Sequence, residues 1–217
     1  MNEVTMLLHG KVSLALHRLQ DGNGRPLLLL HGLGEESPRR PPPSCAAWPG
    51  PIIALDFTGH GRSSIPRGGG YTAESLLGDA DVALAELGCV TVVGRGLGAY
   101  IALQLAGARA TAVRGAVLAD GPGLAGGSVQ PTSSSFATLV PRAGAPDPYA
   151  LFEMSRDLRP PDYATEFVRM ARERSGLDEP VTIAAVIRPA WLAGVADEVG
   201  VAQATVHEAL VVYAALP

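Results

Sequence analysis

The chain is poor in the residues that would place it in several broad classes. It has only two cysteines, Cys45 and Cys89. That is too few for a disulfide framework and fits a reducing compartment. Charged residues make up 18% of the 217, below the usual share of about 25%, so wholesale disorder is excluded and a sizeable core is implied. The basic residues number 17 against 21 acids, and the longest basic run is Arg39-Arg40. Nucleic acid is therefore not an expected partner. No stretch approaches the roughly 18 consecutive apolar residues of a membrane span, so no membrane partner is expected either. The start, Met1-Asn2-Glu3, lacks the basic region and long apolar core of an export signal. The expected location is the cytoplasm.

What the chain has is turn-formers and short apolar runs. Its 26 glycines and 18 prolines follow no fixed period, which excludes a collagen-like rod. Apolar runs occur at Leu27 to Leu30, Ile52 to Leu55, Val90 to Val93, Ala116 to Ala119 and Val181 to Ile187. Runs apolar on both faces suit strands of a parallel sheet covered by helices. Val4 to Leu8 and Val12 to Leu16, around His9-Gly10-Lys11, read as an antiparallel hairpin. Helices are expected over Ala73 to Leu87, with Thr72 as N-cap and Gly88 as stop, and over Leu97 to Ala108 and Tyr163 to Arg174. His207 to Ala215 reads as a last apolar helix, preceded by a final strand at Val201 to Val206. The length fits one domain over 1–217. Its sheet would be mostly parallel with helices on both faces, an α/β class.

Two segments interrupt this rhythm. Residues 36–51 are crowded with proline and read as a rigid irregular connection. Gly121 to Pro148 is rich in Gly, Ser, Thr and Pro, and a loop of that length is a linker or an active-site lid.

Three motifs follow strands in order. They are Leu30-His31-Gly32-Leu33-Gly34, then Asp56-Phe57-Thr58-Gly59-His60-Gly61-Arg62-Ser63, then Gly94-Arg95-Gly96-Leu97-Gly98. Together they resemble the α/β-hydrolase family over about residues 4 to 121. The resemblance implies an α/β-hydrolase fold with a minimal or absent cap, any insertion being limited to 121–163. It also implies that the His-Gly loop gives an oxyanion-hole amide at Leu33, and that the Asp56 loop is a structural turn. The third motif stands where that family has its nucleophile elbow, Gly-x-Ser-x-Gly, a sharp strand-turn-helix. His31, Gly32, Leu33, Arg95 and Leu97 are thus the candidate binding residues.

The sequence departs from this pattern at the nucleophile. That position is Gly96, which has no side chain and forms no covalent acyl intermediate. Glycine tolerates the strained backbone usual there. The elbow shape and the Leu33 and Leu97 amides are therefore expected to persist, able to hold a carbonyl or small anion without cleaving it. The run Gly96-Leu97-Gly98-Ala99-Tyr100 is similar to the elbow of the N-myc downstream-regulated proteins, which share the fold, lack the serine and are regarded as non-enzymatic.

The remaining triad candidates are few. Asp120 is the candidate acid, against a turn or capping role; Asp197 and Glu198 come late. His207 is the candidate base, against a surface position at a helix start. His31 and His60 belong to the structural loops, and His9 and His17 read as surface residues of the hairpin. Ser63 and Ser64 read as turn residues rather than substitute nucleophiles. Cys45 has no evident base, and Cys89 reads as a packed core thiol.

The resulting expectation is an α/β-hydrolase-fold protein without serine-hydrolase activity, a small-molecule-binding or interaction protein. Its partner would be a ligand with a carbonyl or carboxylate group, with a homodimer as a candidate assembly and no cofactor or metal. One alternative is an ester or acyl hydrolase in which His207 activates a water directly. The other is a dinucleotide binder through Gly94-x-Gly96-x-x-Ala99. There the acid Asp120 stands 26 residues after Gly94, beyond the expected ~20.

Overall fold

The computed structural model describes residues 3–127 and 143–216. Its centre is an eight-stranded sheet of order β1-β2-β4-β3-β5-β6-β7-β8. The strands are β1 (Val4–His9), β2 (Val12–Gln20), β3 (Leu27–Leu30), β4 (Ile52–Leu55), β5 (Val90–Arg95), β6 (Val113–Ala119), β7 (Val181–Ile183) and β8 (Val201–Gln203). The hairpin β1–β2 joins β4 antiparallel, and every pair from β4 through β8 is parallel. The aliphatic runs are the parallel strands because both of their faces are covered. All of β3 and β4 is buried.

Helices α1 (Ala73–Leu87), α2 (Leu97–Ala108), α3 (Pro148–Met154), α4 (Pro161–Ser175), α5 (Ala190–Ala196) and α6 (Val206–Ala214) divide between the faces. The larger core gathers Leu28, Leu30, Val92 and Leu118 with α1, α2, α4 and α5. The smaller gathers Leu27, Leu29, Val93 and Val117 with Trp48, Leu210 and Tyr213. Among the described residues, this second face is covered by α6 and the proline-rich connection.

Local chemistry sets the helix ends. The Thr72 hydroxyl accepts the Ser75 N–H and the Ser75 hydroxyl accepts the Thr72 N–H, a capping box that opens α1. Helix α2 is buried on nearly all sides, between sheet and α4. Helix α4 begins earlier than its apolar pattern suggested, because Pro161 takes the first-turn position where no N–H is required. Helix α3 was not expected. Asp147 caps it through the Tyr149 N–H, and Pro148 sits at its start.

Four expectations need correction. The apolar run from Val181 stops being a strand at Ile183, because the Ala184 and Ala185 N–H groups both turn to the Leu118 carbonyl. Val186 and Ile187 are then 84% and 65% exposed. The last strand ends at Gln203, where Thr205 caps α6, so His207 lies in the first turn of a helix. Cys89 is exposed in the turn after α1 rather than packed in the core. His9 and His17 are not plain surface residues; each meets a buried carboxylate, Asp79 and Asp56, at 2.7 and 2.8 Å. The reading of Gly121 to Pro148 as a lid or linker falls partly outside the described residues.

Candidate functional site

The elbow forms where β5 meets α2. Gly96 has φ +59°, and Gly98 comes so close to the end of β3 that an added Cβ would lie 2.4 Å from the Leu30 carbonyl oxygen. The sharp strand-turn-helix of the motif is therefore present.

Its donors are already engaged. The Leu33 and Leu97 N–H groups both donate to the carbonyl of Pro122, at 3.0 and 2.9 Å. This corrects the expectation that the pair stands free for a ligand's carbonyl or anion. The rest of the helix start is committed too. The Gly96, Gly98 and Ala99 N–H groups donate to the Ala119, His31 and Gly96 carbonyls. A pyrophosphate cradle needs such amides to point outward at the ligand, so the dinucleotide reading loses its physical basis.

Gly96 makes room for this arrangement. A Cβ built on it would sit 2.1 Å from the Pro122 oxygen and 2.6 Å from the Gly121 carbonyl carbon. The strap Gly121-Pro122-Gly123-Leu124 thus lies where a nucleophile side chain would project. Two buried side chains hold it down. Arg159 donates through Nη1 to the Gly123 and Leu124 carbonyls at 2.6 and 2.8 Å, and Trp191 Nε1 donates to Leu124 at 2.8 Å. The Arg159 side chain is 1% exposed, paired with Asp157 at 3.3 Å and stacked 4.6 Å over the Tyr100 ring. Burial lowers its pKa, opposed by the nearby carboxylate of Asp157. Its Nη2 has no partner among the described residues.

The flanking loops are pinned by neutral histidines. His31 Nδ1 bonds the Gly32 carbonyl and its Nε2 accepts the Phe57 N–H; His60 Nδ1 bonds the Thr58 carbonyl and its Nε2 accepts the Gly34 N–H. Burial, with His60 adjacent, pushes His31 down to about 4, and burial likewise lowers His60. With both nitrogens spent, neither ring can take a substrate proton. Asp56 receives the Ser37 and Arg62 N–H groups and His17 Nε2. Burial alone would raise its pKa, but the His17 bond and these amides together hold it well below the carboxylate range. Ser63 donates to the Asp56 carbonyl and accepts the Ala15 N–H, and so staples the turn.

Asp120 caps a loop. Its two oxygens accept the Val186 and Ile187 N–H groups at 2.7 and 3.0 Å. His207 is exposed on α6 and lines a groove with Ser44, Trp48 and Leu210. No described contact joins it to Asp120 or Gly96, so the acid, base and nucleophile positions are not brought together. Glu198 pairs with Arg169 at 2.8 Å, and Asp197 closes α5. Arg95 bonds Glu35, whose other oxygen accepts the Gly32 N–H at 2.9 Å. Below this pair a cavity of about 430 Å³ opens between the ends of β3, β5 and β6, the proline-rich segment and Val206.

Sequence reasoning missed the strap and its anchors. Pro122 stood only inside the Gly121 to Pro148 loop, and Arg159 stands before two prolines without periodic context. Among the described residues no cluster of three or more His, Cys, Asp or Glu could hold a metal, and no helix is long and apolar enough to cross a membrane.

Among curated protein sequences none matches this chain. Among solved structures, the thioesterase domain from the curacin biosynthetic pathway is similar over 99% of this chain and 98% of its own, at 16% identity and TM-score 0.64. A candidate lipase from Acinetobacter baumannii AYE is similar over 85% of this chain and 74% of its own, at 17% identity and TM-score 0.58. The epoxide hydrolase VrEH1 of Vigna radiata is 24% identical over 54% of this chain, which covers 38% of that enzyme's length, with a TM-score of 0.49. The model of the alpha/beta hydrolase family matches residues 27–216. The chain belongs to the α/β-hydrolase family.

Proposed function

We propose that this member of the family performs no serine-type acyl transfer and works as a small-molecule-binding or interaction protein. One observation carries the reading: the Pro122 carbonyl accepts both the Leu33 and Leu97 amides, beside a Gly96 that has no side chain. An oxyanion hole accelerates acyl transfer because its donors are preorganised toward charge that develops in the transition state. Donors already satisfied by a backbone carbonyl offer a substrate nothing until the strap leaves. Covalent catalysis also requires a nucleophile that Gly96 lacks. The water-activating alternative requires a base near the elbow, whereas His207 faces a different groove. The location is proposed to be cytoplasmic, with a carbonyl- or carboxylate-bearing ligand and a homodimer as candidate partners.

The test is direct. Purified protein is offered short p-nitrophenyl esters and thioesters and is treated with a fluorophosphonate probe. No turnover above buffer and no adduct by intact mass are expected. Turnover abolished by His207→Ala, or a fluorophosphonate adduct on any residue of the cleft above the sheet, would sink the proposal.

A further inference from the structure

The cavity below the Arg95–Glu35 pair is lined by His31 and Arg95, two of the candidate binding residues, but not by Leu33, Gly96 or Leu97. It measures about 430 Å³ and lies at the carboxyl ends of β3, β5 and β6, where open α/β sheets receive ligands. Of the elbow motif only Arg95 lines it. Leu29 and Val93 belong to the core facing α6, and Ala119 follows Val117 of that core by two residues, which places it on the same sheet face. The space exists for a sequence reason. The connection from β3 to β4 carries six prolines between Pro38 and Pro51 and forms turns instead of a helix, so no helical stripe of side chains fills this end of the sheet.

The mouth selects a head group. Both Glu35 oxygens are engaged, by the Gly32 N–H and by Arg95, so that pair is internally neutral. A guanidinium has five N–H donors. Arg95 directs one to Glu35 and another, at 3.5 Å, to the Asp120 carbonyl, with its side chain 51% exposed. Donors remain unspent, yet the mouth carries no excess positive charge, because Glu36 stands exposed at the rim. A carboxylate would face the exposed Glu36, and an ammonium, which only donates, could not accept the unspent Arg95 N–H groups. A neutral oxygen acceptor faces neither penalty.

We infer that this cavity binds a small neutral apolar molecule carrying one acceptor oxygen of the ketone, ester or lactone class. Its hydrocarbon part packs on Leu29, Val93 and Val206, and its oxygen meets Arg95. The inference rests on the non-catalytic reading only in that an ester held here stays intact.

The experiment titrates the full chain with octan-2-one, octanoate and octylamine by calorimetry, alongside carbon–proton spectra of Leu- and Val-methyl-labelled protein. Octan-2-one is expected to bind saturably and to move the methyls of Leu29, Val93 and Val206 while leaving Leu33 and Leu97 in place. Ala119→Leu fills the space and should weaken binding at least tenfold; Arg95→Met should weaken it several-fold. If Ala119→Leu fails to fold, the methyl map of the unaltered protein decides. The site is refuted by absence of saturable binding, by shifts at Leu33 and Leu97 instead, or by undiminished binding to folded Ala119→Leu. Tighter octanoate or octylamine binding refutes the ligand class. Ester turnover measured on the same samples judges the preceding proposal separately: turnover together with cavity shifts keeps this site and removes the non-catalytic reading.

Discussion

Replacing Gly96 by alanine separates two roles that the elbow glycine plays. The first is conformational: φ is +59°, which costs a residue with a side chain of order 1–3 kcal/mol. The second is steric, since the new Cβ would lie 2.1 Å from the Pro122 oxygen and 2.6 Å from the Gly121 carbonyl carbon. Both contacts are backbone, so rotating a side chain cannot relieve them. The strap must lift, and the two bonds from Leu33 and Leu97 are lost at about 1 kcal/mol each. The sum is about 3–5 kcal/mol, which for a domain of this size lowers the melting temperature by about 10 °C. Gly10 provides the control, because it has φ +60° and no atom within 4 Å of an added Cβ. Gly10→Ala should therefore show conformational strain without collision. Thermal melts of the two variants by circular dichroism isolate the difference. If Gly96→Ala melts no lower than Gly10→Ala, the strap does not occupy the nucleophile space. Gly96→Ser adds a functional arm: its hydroxyl enters filled space, so p-nitrophenyl butyrate hydrolysis should stay at background.

Two further outcomes are expected. Arg159→Met removes the donor to the Gly123 and Leu124 carbonyls and the partner of the part-exposed Asp157; losing charged hydrogen bonds to buried carbonyls costs about 1–3 kcal/mol, and amide hydrogen exchange at Leu33 and Leu97 should accelerate, whereas unchanged exchange would show that Arg159 does not hold the strap. His31 stays neutral to about pH 4 in the fold against 6.5 unfolded, so the unfolded chain binds the extra proton between those values and stability falls as pH drops from 6.5 to 4, by about 3 kcal/mol in all; denaturant melts across that window should show a flatter pH dependence in His31→Gln, and identical slopes would refute the assignment.

The strands and helices were legible where one periodicity dominated. Helices α1 and α2 run as read, because each pairs an apolar pattern with a glycine or capping signal at its ends. The run from Val181 misled because apolarity alone does not distinguish a strand from an aliphatic loop. What ends β7 is the Leu118 carbonyl accepting two amides in succession, a feature of the neighbouring strand. His17 misled for a similar reason. A histidine on an outer hairpin looks solvated until Asp56, 39 positions away, is brought within 2.8 Å by the pairing of β2 with β4.

The site was half legible, and the missing half is long-range backbone chemistry. Its donors could be named from motif position, because Leu33 and Leu97 follow glycines in loops of stereotyped shape. Their acceptor could not, because a carbonyl is common to every residue and leaves no mark in composition. Pro122 is flanked by long-range bonds: Asp120 ties β6's end to the loop after β7, and Arg159 and Trp191 donate to the Leu124 carbonyl. This makes the two features of the elbow, the missing Cβ at Gly96 and the engaged Leu33 and Leu97 amides, interdependent. The strap can sit against the Leu33 and Leu97 amides only while position 96 has no Cβ, and a serine at 96 can be accommodated only if the strap is elsewhere. On the non-catalytic reading proposed above, serine-type chemistry at position 96 requires at least two concerted changes, one supplying the hydroxyl and one releasing Pro122. A library carrying either change alone should contain no active member.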